Sequence, residues 1–399
     1  MPQTKSVLIE EKLKQAAAIL CKKGIDAWLT FCRETSEINE PVLKLIAGTS
    51  VTWDSAFLLG AGGDRGCVVG RLDVNALKAL GNYPEVIGYD ESLRGHLVRL
   101  LDALNPKTLA INYSESNTAA DGLTHGMYLK LLGLLEGTPY AGRLVSAEDV
   151  VAALRGRKSA EELRRITAAV QTTELIIDEF TAHLRPGRTE VQMQAFVQER
   201  MRAHGVGPSW DAAYCPTMTA GPSSPAGHVG PTETVIESGQ TLAIDVGVKQ
   251  DDYCSDIQRT WYLARPGETR PPEPVARAFA AVRGAIEAGE KALRPGVEGW
   301  VVDAAARQAL VGAGYPEFKH ALGHQLGLSA HDGSGLLGPR WERYGRTPHA
   351  LVEEGQVYTL ELEVATEVGP VTLEEDVVVT RDGCEYLSRP QTEVLVVRT

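Results

Sequence analysis

The stretch Thr241-Leu242-Ala243-Ile244-Asp245-Val246-Gly247-Val248, followed after a polar interval by Tyr253-Cys254-Ser255-Asp256-Ile257-Gln258-Arg259-Thr260-Trp261-Tyr262, reads as the two strands of a hairpin. The first is nearly all apolar and the second is rich in β-branched and aromatic residues, yet each carries an aspartate where a charge is costly. Asp245 and Asp256 are symmetric about Lys249-Gln250-Asp251-Asp252, so the spacing predicts that they face each other across the pair. Opposed Cβ atoms in such a pair stand roughly 4.5–5.5 Å apart. Two carboxylates at that separation repel unless a cation lies between them.

A second stretch repeats the device. Val357-Tyr358-Thr359-Leu360-Glu361-Leu362-Glu363-Val364 and Val371-Thr372-Leu373-Glu374-Glu375-Asp376-Val377-Val378-Val379 set Glu361 and Glu374 symmetrically about Glu367 and Val368, with Gly369-Pro370 closing the turn. Between the two hairpins, His320-Ala321-Leu322-Gly323-His324-Gln325-Leu326-Gly327-Leu328-Ser329-Ala330-His331 holds three imidazoles, with glycines that suit a segment hugging a site. Asp245, Asp256, His324, Glu361 and Glu374 thus form a candidate ligand set for a pair of divalent cations. A nitrogen donor among oxygens suits Mn, Zn, Co or Fe better than the all-oxygen cages of Mg or Ca. His228 lies upstream in the Gly/Pro/Ser loop Gly221–Pro231.

The chain also repeats on a larger scale. A helix ending at Leu184-Arg185-Pro186-Gly187 is followed by a second from Thr189 to His204 and then by the aspartate hairpin. Another ends at Leu293-Arg294-Pro295-Gly296, is followed by a second from Gly299 to Ala313, and then by the glutamate hairpin. Two similar αα–ββ halves packed about a pseudo-two-fold would each deliver one carboxylate pair to a common centre.

With 399 residues, 43% of them hydrophobic, the chain has material for a large core and two domains. Residues 1–150 predict an α/β domain. Strands at Ile25–Phe31, Ser55–Leu59, Gly66–Val69 and Thr108–Asn112 alternate there with helices near Val74–Leu80, Leu93–Leu104 and Gly122–Leu135. Residues 151–399 form the second domain, entered through a long charged helix from Ala160 to about His183. A net charge of −12 argues against nucleic acid and anionic membrane as partners. No run of 18 apolar residues occurs, and the N-terminus leads into a charged amphipathic helix, so a cytoplasmic location is expected. The six scattered cysteines include no CxxC spacing and predict neither a zinc knuckle nor a disulfide framework.

The residues around these ligands resemble the metallopeptidase family of Xaa-Pro dipeptidases (prolidases) and Xaa-Pro aminopeptidases. The resemblance rests on Asp245-Val246-Gly247, Tyr253 to Thr260, Gly323-His324, His331, Glu361 and Leu373-Glu374-Glu375-Asp376. Leu154 to Glu162 is similar to the segment that opens the family's catalytic domain, and residues 1–150 resemble its creatinase-like N-terminal domain. The resemblance implies an α+β architecture, with a C-terminal pita-bread catalytic domain and two bound divalent ions, Mn first, with Zn or Co as alternatives. It implies that Asp256 and Glu374 bridge the ions, that Asp245 holds one, and that His324 and Glu361 complete the other. Glu361 would be the general base, His228 and His331 would face the developing oxyanion, and His320 would lie by the leaving proline. A small Xaa-Pro dipeptide is the expected substrate and a homodimer the expected assembly. An aminopeptidase acting on longer peptides is the alternative, and a relative that has lost peptidase activity is a further one. Gln258 stands where the family commonly has Thr, Gln325 where it has Gly, Leu362-Glu363 where it has Pro-Gly, and Thr372 where it has Arg. These departures surround the ligands without removing one, and they bear on orientation and specificity.

Overall fold

Apolar strands alternating with helices build a six-stranded sheet in the first third of the chain. The computed structural model describes residues 2–225 and 229–398, and the chain divides into two units, Met1–Arg155 and Gly156–Thr399. The sheet of the first unit runs in the order Glu85–Tyr89, Arg65–Gly70, Ser55–Gly60, Ala27–Cys32, Leu109–Ile111, Leu144–Ser146. Its middle strands pair antiparallel and its outer pairs are parallel. The edge strands Glu85–Tyr89 and Leu144–Ser146 lack the fully apolar patterning of the centre and are additions to the strands the sequence predicts. A polar knot lies inside this unit. Trp28 Nε1 donates to Asn112 Oδ1 at 2.6 Å, and Asn112 Nδ2 donates to Glu40 Oε1 at 3.0 Å, all three residues being buried.

The second unit carries the expected duplication. The helix Ala160–His183 opens on a capping box of Ser159 with Glu162, and Glu190–Ala203 opens on one of Thr189 with Gln192. The LRPG stops match down to single bonds. Gly187 N donates to Ile236 O at 2.8 Å and Gly296 N to Val352 O at 2.9 Å, and both glycines are left-handed, at φ 90° and 86°. Thr189 bridges Val235 as Glu298 bridges Leu351. The helices Glu273–Ala292 and Gly299–Gly312 bury Val282, Ile286, Val302 and Ala306 against Leu360, Leu362, Leu373 and Val377. That packing occupies the back of the sheet and leaves the alternate residues facing forward.

The strands of this sheet run Val357–Thr366, Gly369–Val379, Ile257–Leu263, Thr241–Val246, Thr217–Ala220. Glu361 stands opposite Glu374, as the spacing predicts. The first hairpin differs from its expected register by two residues: Asp245 opposes Gln258 rather than Asp256. The turn consists of Asp251 and Asp252 alone, both left-handed at φ 48° and 73°, while Lys249 and Gln250 belong to the strand and pair with Cys254 and Tyr253. This is the geometry of a two-residue hairpin turn with both central residues at positive φ. A two-residue slip preserves the face, since side chains alternate with period two. Asp256 still points with Asp245, but it lies beyond the ladder. The chain closes so tightly there that a Cβ on Gly247 would sit 1.9 Å from Ser255 O. The six cysteines are all free thiols.

Glu40 gives the first unit a pH signature. Burial pushes its carboxyl from 4.5 up to about 7. A raised folded value means that stability is complete below pH 4.5, declines as the pH rises towards 7, and is level above that. Glu40→Gln is expected to leave stability unchanged near pH 4 and to raise it at pH 8 by on the order of 3 kcal/mol. Denaturation monitored across that range checks this, and equal stability of both proteins at pH 8 would refute it.

Candidate metal centre

One row across the front of the sheet collects Glu361, Glu374, Gln258 and Asp245, each directly opposite the next. Asp256 precedes Gln258 by two residues and shares its face, and its carboxyl is within hydrogen-bonding reach of Asp245. Four carboxylates from two hairpins therefore meet on one surface.

His324 reaches them because its segment lies against the Glu361 strand. Glu361 N donates to Leu322 O at 2.7 Å, His324 N to Thr359 Oγ1 at 3.3 Å, and Leu326 N to Val357 O at 3.1 Å. Only glycine fits between, since a Cβ on Gly323 would sit 1.9 Å from Thr359 O. His324 Nδ1 donates to Gln325 O at 3.4 Å, which turns Nε2 towards the acids. Nε2 stands 3.7 Å from Glu361 Oε1, 3.9 Å from Asp256 Oδ2 and 3.9 Å from Glu374 Oε1. Asp256, His324 and Glu374 can each present a donor atom within 4.8 Å of the others.

The electrostatics ask for cations. Burial, and then the charge of Asp245, push Glu361 up to about 8. Burial raises Asp245 to about 6, opposed by the hydrogen bond with Asp256. Asp256 and Glu374 are raised well above the carboxylate range, by burial first and then by the neighbouring acids. His324 is held down to about 3 by burial and by His331, so its imidazole is neutral. Asp245 Oδ1 and both Glu374 carboxylate oxygens are buried without a hydrogen-bond partner among the described residues. Unpartnered buried oxygens beside a neutral imidazole fit first-row divalent ions, which would replace the protons these acids otherwise need.

The surrounding residues explain the departures. Gln258 Nε2 donates to Glu361 Oε2 at 3.1 Å, so the amide orients a ligand carboxylate from the middle of the row. Gln325 is buried; its Nε2 donates to Tyr358 OH at 3.1 Å while its Oε1 accepts from Ser334 N at 3.1 Å. It ties down the loop that carries His331. Lys158 and Asp332 clamp the same loop through a buried ion pair at 3.1 Å, and Asp332 Oδ2 accepts from Leu328 N at 2.9 Å. Behind the sheet, Arg259 donates to Glu374 O at 2.9 Å and pairs with Glu375 at 3.0 Å, fixing the backbone beneath the ligands. Asp376 Oδ2 accepts from Asp256 N at 3.1 Å. The sequence signal for Asp376 was its place two residues after Glu374, which puts it on the same face.

A cavity of about 520 Å³ opens above this floor. Asp245, Gln258, His324 and Glu361 line it, as do His320 and His331, whereas Asp256 and Glu374 lie buried beneath. The ring of His331 stands edge-on to that of His324 with centroids 4.1 Å apart. His320 lies at the side, its Nδ1 donating to Ala321 O at 2.7 Å. His228 lies outside the described residues. Thr372, Glu363 and Tyr344 also line the cavity. Glu363 and Thr372 were noted in the sequence only as departures, and Tyr344 carried no signal because it comes from a short 3-10 turn far from the motifs.

Comparison with known proteins agrees with this architecture. The chain is 30% identical over 256 residues to the Bacillus subtilis protein YkvY, a match covering 64% of this chain and 66% of that one. It is 26% identical over 281 residues to an Xaa-Pro dipeptidase of Pyrococcus horikoshii, covering 67% of this chain and 75% of the relative. Over 97% of its length it follows the fold of an X-Pro aminopeptidase from Thermotoga maritima, with a TM-score of 0.72 at 24% identity and 99% of that chain covered. This is the pita-bread fold preceded by an N-terminal domain. Metallopeptidase family M24 matches residues 164–381, more than half of the chain. Carboxylates and imidazole on one buried face, the duplicated halves that deliver them and this match lead to one conclusion: the chain belongs to metallopeptidase family M24.

Proposed function

We propose that this chain is a dinuclear-metal-dependent peptidase that cleaves Xaa-Pro dipeptides. The observation that carries the proposal is the cluster of four carboxylates, three of them in one row across the sheet and Asp256 beside it, with His324 above, at the floor of a cavity large enough for a short peptide. Asp256 and Glu374, buried below the floor, would hold two ions of Mn, Zn or Co together with Asp245, His324 and Glu361. Ions held there would supply an acidified water and a Lewis acid for the scissile carbonyl.

The chain's own groups handle the proton and the charge. Glu361 reaches the cavity with one oxygen anchored by Gln258, which suits it to take the proton of the attacking water and pass it to the leaving imino nitrogen. His331, exposed in the cavity, would donate to the oxyanion that develops on the carbonyl, and His228 is proposed to join it. His320 would flank the proline. An Xaa-Pro bond is a tertiary amide with no N–H to offer, so it calls for a dedicated site. One observation favours a second reading, aminopeptidase action on longer chains: among the described residues no Lys or Arg lines the cavity to meet a dipeptide's free carboxylate.

Ala-Pro, Leu-Pro, Ala-Pro-Ala and Ala-Ala offered to chelator-stripped protein, with Mn, Co or Zn restored singly, test the proposal. Metal-dependent cleavage confined to the two Xaa-Pro dipeptides is expected. Release of Ala from Ala-Pro-Ala would select the second reading, and silence with metal bound would overturn both in favour of a relative without peptidase activity. Glu361→Ala is expected to lower kcat by about 10²–10⁴-fold and His331→Ala by about 10²–10³-fold, with the fold retained.

Stability provides a separate check on the metal site. Because Asp245 and Glu361 are raised to about 6 and about 8, stripped protein should be most stable near pH 4 and lose stability as the pH climbs to 8. Adding Mn should reduce that decline, with the largest rise in Tm at pH 8, and Asp256→Ala should not respond. A Tm that is unmoved by Mn, Co and Zn at pH 8 would sink the metal assignment.

A further inference from the structure

Beside the ligand row runs a second row whose chemistry the proposed mechanism does not use. Pairing places Glu363 directly opposite Thr372, one pleat from Glu361 and Glu374 on the same face. Both line the cavity. Thr372 is 7% exposed, yet its Oγ1 has no hydrogen-bond partner among the described residues. The Thr372 backbone is already satisfied on this side, because Thr260 Oγ1 donates to Thr372 O at 2.7 Å and accepts from Thr372 N at 2.9 Å. Thr372 shares the face of Glu374 and borders the cavity, with its buried Oγ1 left unpartnered among the described residues. Glu363 is exposed, so its carboxylate is open to an incoming group.

We propose that Glu363 and Thr372 form a subsite for a cationic side chain of the peptide substrate, an inference that rests on the Xaa-Pro reading of the same cavity. Two strand residues separate Glu363 from Glu361 by roughly 7 Å. The substrate's α-ammonium lies only two bonds from the scissile carbonyl and stays over the ligand row. A lysine or arginine side chain extends past it, and its head is met by Glu363 as counter-ion and by Thr372 as acceptor. The residue is either the one before proline or the one after it. Pairing of this kind within a half-enclosed cavity is expected to favour the charged side chain by about tenfold or more.

The test compares isosteric charged and neutral peptides: Arg-Pro against citrulline-Pro, and Ala-Pro-Arg against Ala-Pro-citrulline. Binding to metal-stripped protein is measured by calorimetry and kcat/KM with metal restored, for wild type, Glu363→Gln and Thr372→Val. The wild type should prefer the arginine peptide of one pair by tenfold or more in both readouts. That ratio should collapse towards one in Glu363→Gln and shrink in Thr372→Val. The first pair places the cation before proline and the second places it after. Equal treatment of both pairs by the wild type, or an unchanged preference in Glu363→Gln, overturns the subsite even where Xaa-Pro hydrolysis is robust. An arginine preference in binding that depends on Glu363, without turnover of any peptide, upholds the subsite and instead overturns the Xaa-Pro reading.

Discussion

Mutual repulsion among Asp245, Asp256, Glu361 and Glu374 is the constraint on which the catalytic unit depends. Four acids crowded on one face, two of them buried beneath the cavity, cannot all ionise without counter-charge, and the rise in their proton affinities expresses that strain. The rest of the unit keeps them together despite it. Apolar packing of Leu360, Leu362 and Leu373 on the back of the sheet supplies the favourable free energy, while Arg259 and Glu375 form a charge pair behind the ligands. In a member of a metallopeptidase family, repulsion of this kind is a ready source of affinity for divalent cations.

The duplicated halves bring the acids close, and backbone contacts then set the finer geometry. Gly323 lets one segment lie on the Glu361 strand so closely that no side chain fits, and this carries His324 over the row. Gln325 and the Lys158–Asp332 pair fasten the following loop and with it His331. The departures from the family pattern thereby acquire physical roles. Gln258 orients Glu361 where a hydroxyl is more common, and Glu363 with Thr372 changes the polarity of one wall of the cavity. These residues leave the five candidate ligands in place and change what surrounds them.

Much of this was legible because β-structure is arithmetic. Glu361 and Glu374 sit at positions whose numbers sum to a constant across a two-residue turn, and the ladder follows that sum. The same arithmetic missed the aspartate hairpin by two residues, because two left-handed aspartates form the turn where the wider polar run had been taken as its span. The LRPG helix stops are local and read directly from the sequence. The short edge strands of the N-terminal sheet are stabilised by partners distant in sequence and leave little periodic trace.

By itself the sequence determined the duplicated halves, the carboxylates and imidazole that are candidate ligands and the face on which the carboxylates lie, because helix stops and strand alternation act between near neighbours. Tertiary structure alone decided which atoms meet. It placed Gln258 between Asp245 and Glu374, set Gln258 against Glu361, anchored the His331 loop on Lys158, and left Thr372 Oγ1 unpartnered across from Glu363. The contacts of Gln258 with Glu361 and Glu374 and of Lys158 with Asp332 join segments a hundred or more residues apart, and no local rule of spacing sets the distance across such a contact.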